Sequence, residues 1–339
     1  MNSFDNQGNI FVNNLSRNDL KEFLMLLNAW GGGYLNYRNS LNIPINVTFG
    51  IEIEYLGANP RMVDFYVDEI MKQWHFLCDW ESKRELNLPG GGEVVSPIMT
   101  DNKNTWNEIK NICQFLKNNK SLVALSAGGH IHVGASILTC DYNVWRRFFK
   151  LYTIFEDVLY RFCYGDKING RENIQFFAKP IGDILLFKMS QLKRGKKLSD
   201  IKDFYPCDTR EYGLNLKNVN FDDITYKIGN TIEFRFPNAT IEEVIWQNNI
   251  NVLVKLLLAA LNSNLDENFL DYLLEDMDEQ AYAGNIVYDY KNINFRKALL
   301  FADLVFDNTL DKIYFLKQYF KSFQNTQEKD LVLSRRFII

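Results

Sequence analysis

The sequence predicts an α+β fold. Two observations carry the prediction. Strand-like stretches near residues 46–57, 91–97, 128–134 and 230–238 alternate with long helical periods at meander-like spacing. No internal repeat and no low-complexity linker interrupts that order. The 339 residues suffice for one large domain or two ordinary ones. With 47% hydrophobic and 14% aromatic residues the chain can build a substantial core, which excludes wholesale disorder.

Each element has a local reason. SRNDLKEFLMLLNA at 16–29 has helical apolar spacing behind a capping Ser16, and WGGGY at 30–34 breaks it. NVTFGIEIEYLG at 46–57 alternates as a strand, with Ile51, Ile53 and Tyr55 on one face and Glu52 and Glu54 on the other. An amphipathic helix is expected over 61–76, then a strand or loop at FLCDWES and a glycine-rich turn into GGEVVSP at 91–97. A helix over 105–118 leads to the strand GGHIHVG, and Asp141 caps a helix over 141–163. Between 164 and 230, IQFFAKPI and ILLFKMS look strand-like and LKRGKK at 192–197 reads as a solvated loop. NTIEFRFPN is a clear strand, and Thr240 with Glu243 matches a capping box for the next helix. Residues 265–323 alternate acidic and apolar residues and are expected to be helical.

Composition narrows the function. The net charge is −4, from 38 basic and 42 acidic residues, so nothing argues for nucleic acid as a partner. The five cysteines are widely spaced without a CxxC pair, which argues against a disulfide framework and a thiolate zinc site. The N-terminus shows no basic region followed by an apolar run. The most apolar stretch, 244–261, carries Gln247, three Asn and Lys255, too polar and too short for a bilayer. A cytoplasmic protein without a membrane partner is expected.

The chemistry concentrates on four strands. Two of the three histidines, His130 and His132, stand one residue apart between glycines and share a face. Glu52 and Glu54 share a face of GIEIEY, Glu93 follows three glycines, and Glu233 and Arg235 share a face of TIEFRF. Each pair alone also reads as a solvated sheet face. Yet glutamate is a poor strand former, and aligned carboxylates repel unless a cation lies between them. Convergence of these strands would make a divalent-cation site. Carboxylates with one imidazole suit Mg²⁺ or Mn²⁺ better than Zn²⁺. Arg235 beside Glu233 suits a phosphate, and together these groups are the equipment of phosphoryl transfer. His75, late in a helix behind Trp74, reads as structural.

The ordered set GIEIEY, GGEVVSP, GGHIHVG and NTIEFRFPNAT, followed by a helix, resembles the putative amidoligase family, in the carboxylate–amine ligase superfamily of glutamine synthetase and glutamate–cysteine ligase. The resemblance spans roughly residues 46–262. It implies a curved antiparallel half-barrel with helices on its outer face, as a catalytic domain at 46–262 between an N-terminal helical extension (1–45) and a C-terminal helical segment packed on the same domain (263–339). It implies an ATP-dependent ligase that joins an acid to an amine through an acyl phosphate, on an amino-acid, peptide or protein substrate. By motif, Glu52, Glu54, Glu93, His130 and Glu233 would hold metal, His132 would lie beside the nucleotide phosphates or a metal, and Arg235 would neutralise the transferring phosphoryl group. Arg171 and Asp79 match catalytic positions, though Trp80 and Glu81 separate Asp79 from Ser82, a departure from the family's turn. Arg210 and Asn215 match a substrate- or nucleotide-contacting segment. A metal-dependent phosphotransferase on the same scaffold and a non-catalytic binding protein are the competing readings.

Overall fold

The computed structural model describes residues 35–71, 79–84, 90–124, 126–165, 170–225 and 228–320. At its centre lies one open antiparallel sheet of six strands: β1 (Phe49–Leu56), β2 (Glu81–Lys83), β3 (Gly91–Val95), β4 (Gly129–Gly134), β5 (Leu214–Asn215) and β6 (Thr231–Phe234). Their order in space is β2-β3-β1-β4-β6-β5. The expected α+β class holds, with the four motif strands as the four central ones.

Alternation decides what each face carries. Along β1, Phe49, Ile51, Ile53 and Tyr55 are buried and the residues between them are half-buried. Burying one such side chain contributes roughly 1.5–3 kcal/mol, whereas β-propensities span only ~1 kcal/mol in all. Four buried apolar residues therefore outweigh two glutamates that disfavour a strand. Val94, Ile131, Val133, Ile232, Phe234 and Leu214 continue the same apolar face across the sheet.

Among the described residues, six longer helices complete the core: α1 (Lys103–Asn118), α2 (Tyr142–Cys163), α3 (Glu243–Leu261), α4 (Glu267–Tyr282), α5 (Phe295–Val305) and α6 (Thr309–Tyr319). They share one hydrophobic cluster with the apolar sheet face. Trp106 of α1 stacks on Phe49 at 5.5 Å between ring centroids, and Tyr160 of α2 stacks on Phe236 at 4.5 Å. Asp141 caps α2 as expected, accepting from Asn143 N. Helix α3 is long and apolar enough by composition to cross a membrane, but 78% of its most apolar window is buried inside the protein, as in a core helix. Its polar residues are used internally: Asn248 and Asn249 bond Gln318, and Asn251 bonds Asp311 of α6. Helix α4 is held to α2 by Lys150 between Glu267 and Asp271.

Several local expectations differ from the structure. IQFFAKPI and ILLFKMS form short helices, Ile174–Phe177 and Gly182–Phe187, not strands. Short continuous apolar runs lack a period that separates strand from buried helix. LKRGKK begins in the helix Met189–Arg194 and leaves it at Gly195. Thr240 and Glu243 form no capping box: Thr240 Oγ1 accepts from Glu242 N, and Glu243, already helical, pairs with Lys117 at 2.8 Å. The amphipathic stretch from 61 becomes a short α-helix, Pro60–Phe65, that widens into a π-helical turn, Tyr66–Met71. Residues 35–47 are irregular and pinned, Asp101 accepting from Leu41 N and Ile43 N. The helix expected at 16–29 and His75 lie outside the described residues.

Candidate functional site

The apolar face of the sheet commits Glu52, Glu54, Glu93, His130, His132 and Glu233 to the opposite face. Register then brings them into neighbouring positions. Glu52 lies across from His130, Glu54 from Glu93, and His132 from Glu233, which in turn faces Asn215.

Glu52 is the hub. Its carboxylate meets His130 Nδ1 at 2.6 Å and His132 Nε2 at 3.1 Å. Burial alone would raise its pKa, but the two imidazoles hold it far below the ordinary carboxylate range. Burial pushes His132 down in turn, yet Glu52 and Glu233 outweigh it and raise its pKa. His132 Nδ1 lies 3.2 Å from Thr231 Oγ1, which fixes the ring plane.

Two sets of ligand atoms, each set lying within 4.8 Å, share this hub: Glu52 with His132 and Glu233, and Glu52 with Glu93 and His130. Two carboxylate charges ~4 Å apart at an effective dielectric near 20 repel by about 4 kcal/mol. Each set therefore favours a cation, and its two oxygens and one nitrogen suit Mg²⁺ or Mn²⁺. Glu54 lies in neither set. It accepts from Gly128 N at 2.5 Å and lies 3.9 Å from His130 Nε2.

A cavity of about 280 Å³ opens beside Glu52, Glu54, Glu93 and His130. Three arginines, Arg171, Arg210 and Arg235, line it as well, with Ser126, Asn173 and Phe177. Arg235 pairs with Glu233 and donates from Nε to Phe177 O at 3.2 Å. Arg171 is 4% exposed, and burial lowers its guanidinium pKa to about 10 against the opposing pull of Glu54. Arg171 donates to Arg235 O at 2.9 Å, while its Nε, buried, has no partner. Both glycines before His130 are explained by close approach. A Cβ on Gly128 would stand 1.6 Å from Arg171 Nη1, and one on Gly129 would stand 2.6 Å from the Trp246 ring.

A second cavity, about 330 Å³, lies past the other edge of the hub. Glu52 and His132 face it, with Phe49, Gly50, Val95, Pro97, Ile98, Ser96, Asn218, Asn230 and Thr231. Among the described lining residues there is no Lys or Arg. Asp79 and Glu81 also line it, so Asp79 stands at this cavity and not at the one with the arginines. Asn215 lines neither cavity: its Nδ2 donates to Glu233 at 2.5 Å and its Oδ1 accepts from Lys217 N, so both ends of its amide are taken inside the protein.

Sequence reasoning passed over Thr231, Asn238 and Phe177. Thr231 stands two residues before Glu233, so period two already places it on the same face. Asn238 accepts from Arg171 N at 3.0 Å, and Phe177 reaches the cavity through a fold-back that no local pattern marks.

The open sheet of this α+β fold thus presents a carboxylate–imidazole hub between two cavities, one carrying three arginines and one lined largely by apolar groups. The chain belongs to the family described as putative amidoligase enzyme, whose family model matches residues 46–257. No curated protein matches the sequence.

Proposed function

We propose that the protein is an ATP-dependent carboxylate–amine ligase with a glutamine-synthetase-like catalytic fold, forming an amide or isopeptide bond through an acyl phosphate. The observation that carries this reading is Glu52, shared by two cation-suited groups and set between cavities of opposite character. Membership of the amidoligase family supports the ligase class.

The residues divide the work by charge. The apolar cavity takes the base and sugar of the nucleotide against Pro97 and Ile98, with Asn218 offering hydrogen bonds. His132 and Glu233 face the phosphates. Glu52, Glu93, Glu233, His130 and His132 would hold Mg²⁺ or Mn²⁺, which would supply charge neutralisation between triphosphate and carboxylate. Arg235 and Arg171 orient the acid and neutralise the transferring phosphoryl group. The acid's oxygen attacks the γ-phosphorus and ADP leaves. The amine nitrogen then attacks the acyl carbon, phosphate leaves, and the nitrogen gives up a proton. Glu54, tied to Gly128 N and facing Arg171, positions that arginine. A cytoplasmic location goes with the ATP requirement and with Cys113, Cys140 and Cys207 remaining free thiols.

Calorimetric titration of ATP with and without Mg²⁺, on the wild type and on Glu52→Ala/Glu233→Ala, tests the reading. Mg²⁺-dependent binding that the double variant loses is expected. ADP release that requires both an acid and an amine separates a ligase from a phosphotransferase. A folded wild type that binds no nucleotide would sink the proposal.

A further inference from the structure

The short helix Ile174–Phe177 leaves two adjacent phenylalanines in solvent, Phe176 at 69% and Phe177 at 44% exposure. The segment is held on both sides and cannot turn them inward cheaply. Arg171 N is bound by Asn238, Arg235 Nε donates to Phe177 O, and Tyr160 OH donates to Ala178 O at 2.9 Å. Beyond them, Lys179 N donates to Glu211 O at 2.7 Å and Gly213 N to Lys179 O at 2.9 Å. Rigidly displayed aromatics are what binding surfaces use, because little side-chain freedom remains to be lost on contact.

Their place gives them an occupant. Phe177 lines the arginine cavity and Phe176 stands next to it, outside the lining. The cavity, about 280 Å³, holds a carboxylate head with the groups that react with it. Anything touching Phe176 must extend out of it. The arginines select a carboxylate, and the phenylalanines select an apolar group attached to it.

Resting on the ligase reading above, we infer that the acid substrate is a peptide whose reacting carboxylate lies beside a hydrophobic residue, and that Phe176 and Phe177 are specificity-determining residues that grip that neighbour. Small polar amino acids would fill the cavity and leave this surface unused.

The test compares two probes, N-acetyl-Leu-Phe-Glu-amide and N-acetyl-Gly-Gly-Glu-amide, titrated into the full-length protein with Mg²⁺ and a non-hydrolysable ATP analogue. The wild type is expected to bind the apolar peptide roughly tenfold more tightly, as two aromatic contacts imply. Phe176→Ser, outside the cavity lining, should reduce that preference and leave the glycine peptide unchanged, and Phe176→Ser/Phe177→Ser should erase it; both side chains are exposed, so the fold should tolerate these changes. Equal binding of the two peptides, a preference that survives the double variant, or binding of neither peptide while Mg²⁺-nucleotide binds would overturn the inference and leave the ligase reading standing. Loss of nucleotide binding in the wild type, with the peptide preference intact, would instead remove the ligase reading alone. If the double variant changes the oligomeric state by size-exclusion chromatography and not the peptide preference, the surface serves a second copy of the chain and the inference fails.

Discussion

Two cavities share the Glu52 wall, and they differ in charge more than in size. The one beside Glu54 and Glu93 carries three arginines; the one beside Gly50 and His132 has no Lys or Arg among its described lining residues and is lined by apolar and neutral groups together with Asp79 and Glu81. The difference comes from opposite ends of the same strands. Toward Leu56, β1 runs past segments that bring in Arg171 and Arg210 from outside the sheet. Toward Phe49 it runs past Pro97, Ile98 and the start of β6. Bringing an acid to a triphosphate means joining two anions. Under the proposed ligase reaction, a cavity with arginines for the reacting ends, and one without them for the part of the nucleotide that does not react, would keep the arginines where charge develops.

That comparison can be broken. Arg235→Ala should affect only the basic side: a loss of about 10³ in kcat for ADP release, with nucleotide affinity within roughly threefold of wild type. Arg235→Lys should recover little, because a point charge cannot grip two oxygens in parallel. A comparable loss of nucleotide affinity would mean that the cavities do not divide the reactants. Ile98→Asp, at the apolar cavity, should do the reverse, weakening nucleotide binding about tenfold with the KM for the acid unchanged. Steady-state kinetics with isothermal titration reads both variants.

The hub itself predicts a smaller effect, on stability in cation-free protein. Glu52 has a lowered pKa when folded, so its contribution is full above its ordinary value of 4.5 and is lost as pH falls through the folded value. His132 has a raised pKa, so its contribution is full below its ordinary 6.5 and is lost as pH rises through the folded value. Urea midpoints measured with chelator should therefore be highest between about pH 4.5 and 6.5 and decline on both sides. Glu52→Gln should flatten both declines; a profile unchanged by that substitution would show that the hub does not couple to folding.

Much of the site was legible because it lies in strands. Period two places Glu52 with Glu54, His130 with His132, and Glu233 with Arg235, without knowledge of neighbours. The buried apolar partners Ile51, Ile53, Ile131 and Phe234 make that orientation obligatory, since a one-residue slip would put the glutamates in the core. The stretch from 164 to 230 was far less legible. Its helices are four to six residues long, and their apolar runs carry no period. Thr240 and Glu243 matched a cap by spacing, but the backbone enters α3 later and Lys117 takes the carboxylate.

By itself, then, the sequence determined the α+β class, the strands and which side chains share a face, because those follow from local periodicity and burial. Tertiary structure decided the rest. Antiparallel register set His130 across from Glu52 and Glu233 across from His132, making Glu52 common to both cation-suited groups. Packing placed Asp79 at the apolar cavity and buried Asn215 against Glu233. Long-range contacts carried Arg171 across 42 intervening residues to within a Cβ's width of Gly128. Such pairings depend on strand order and loop closure, and no window of local sequence contains them.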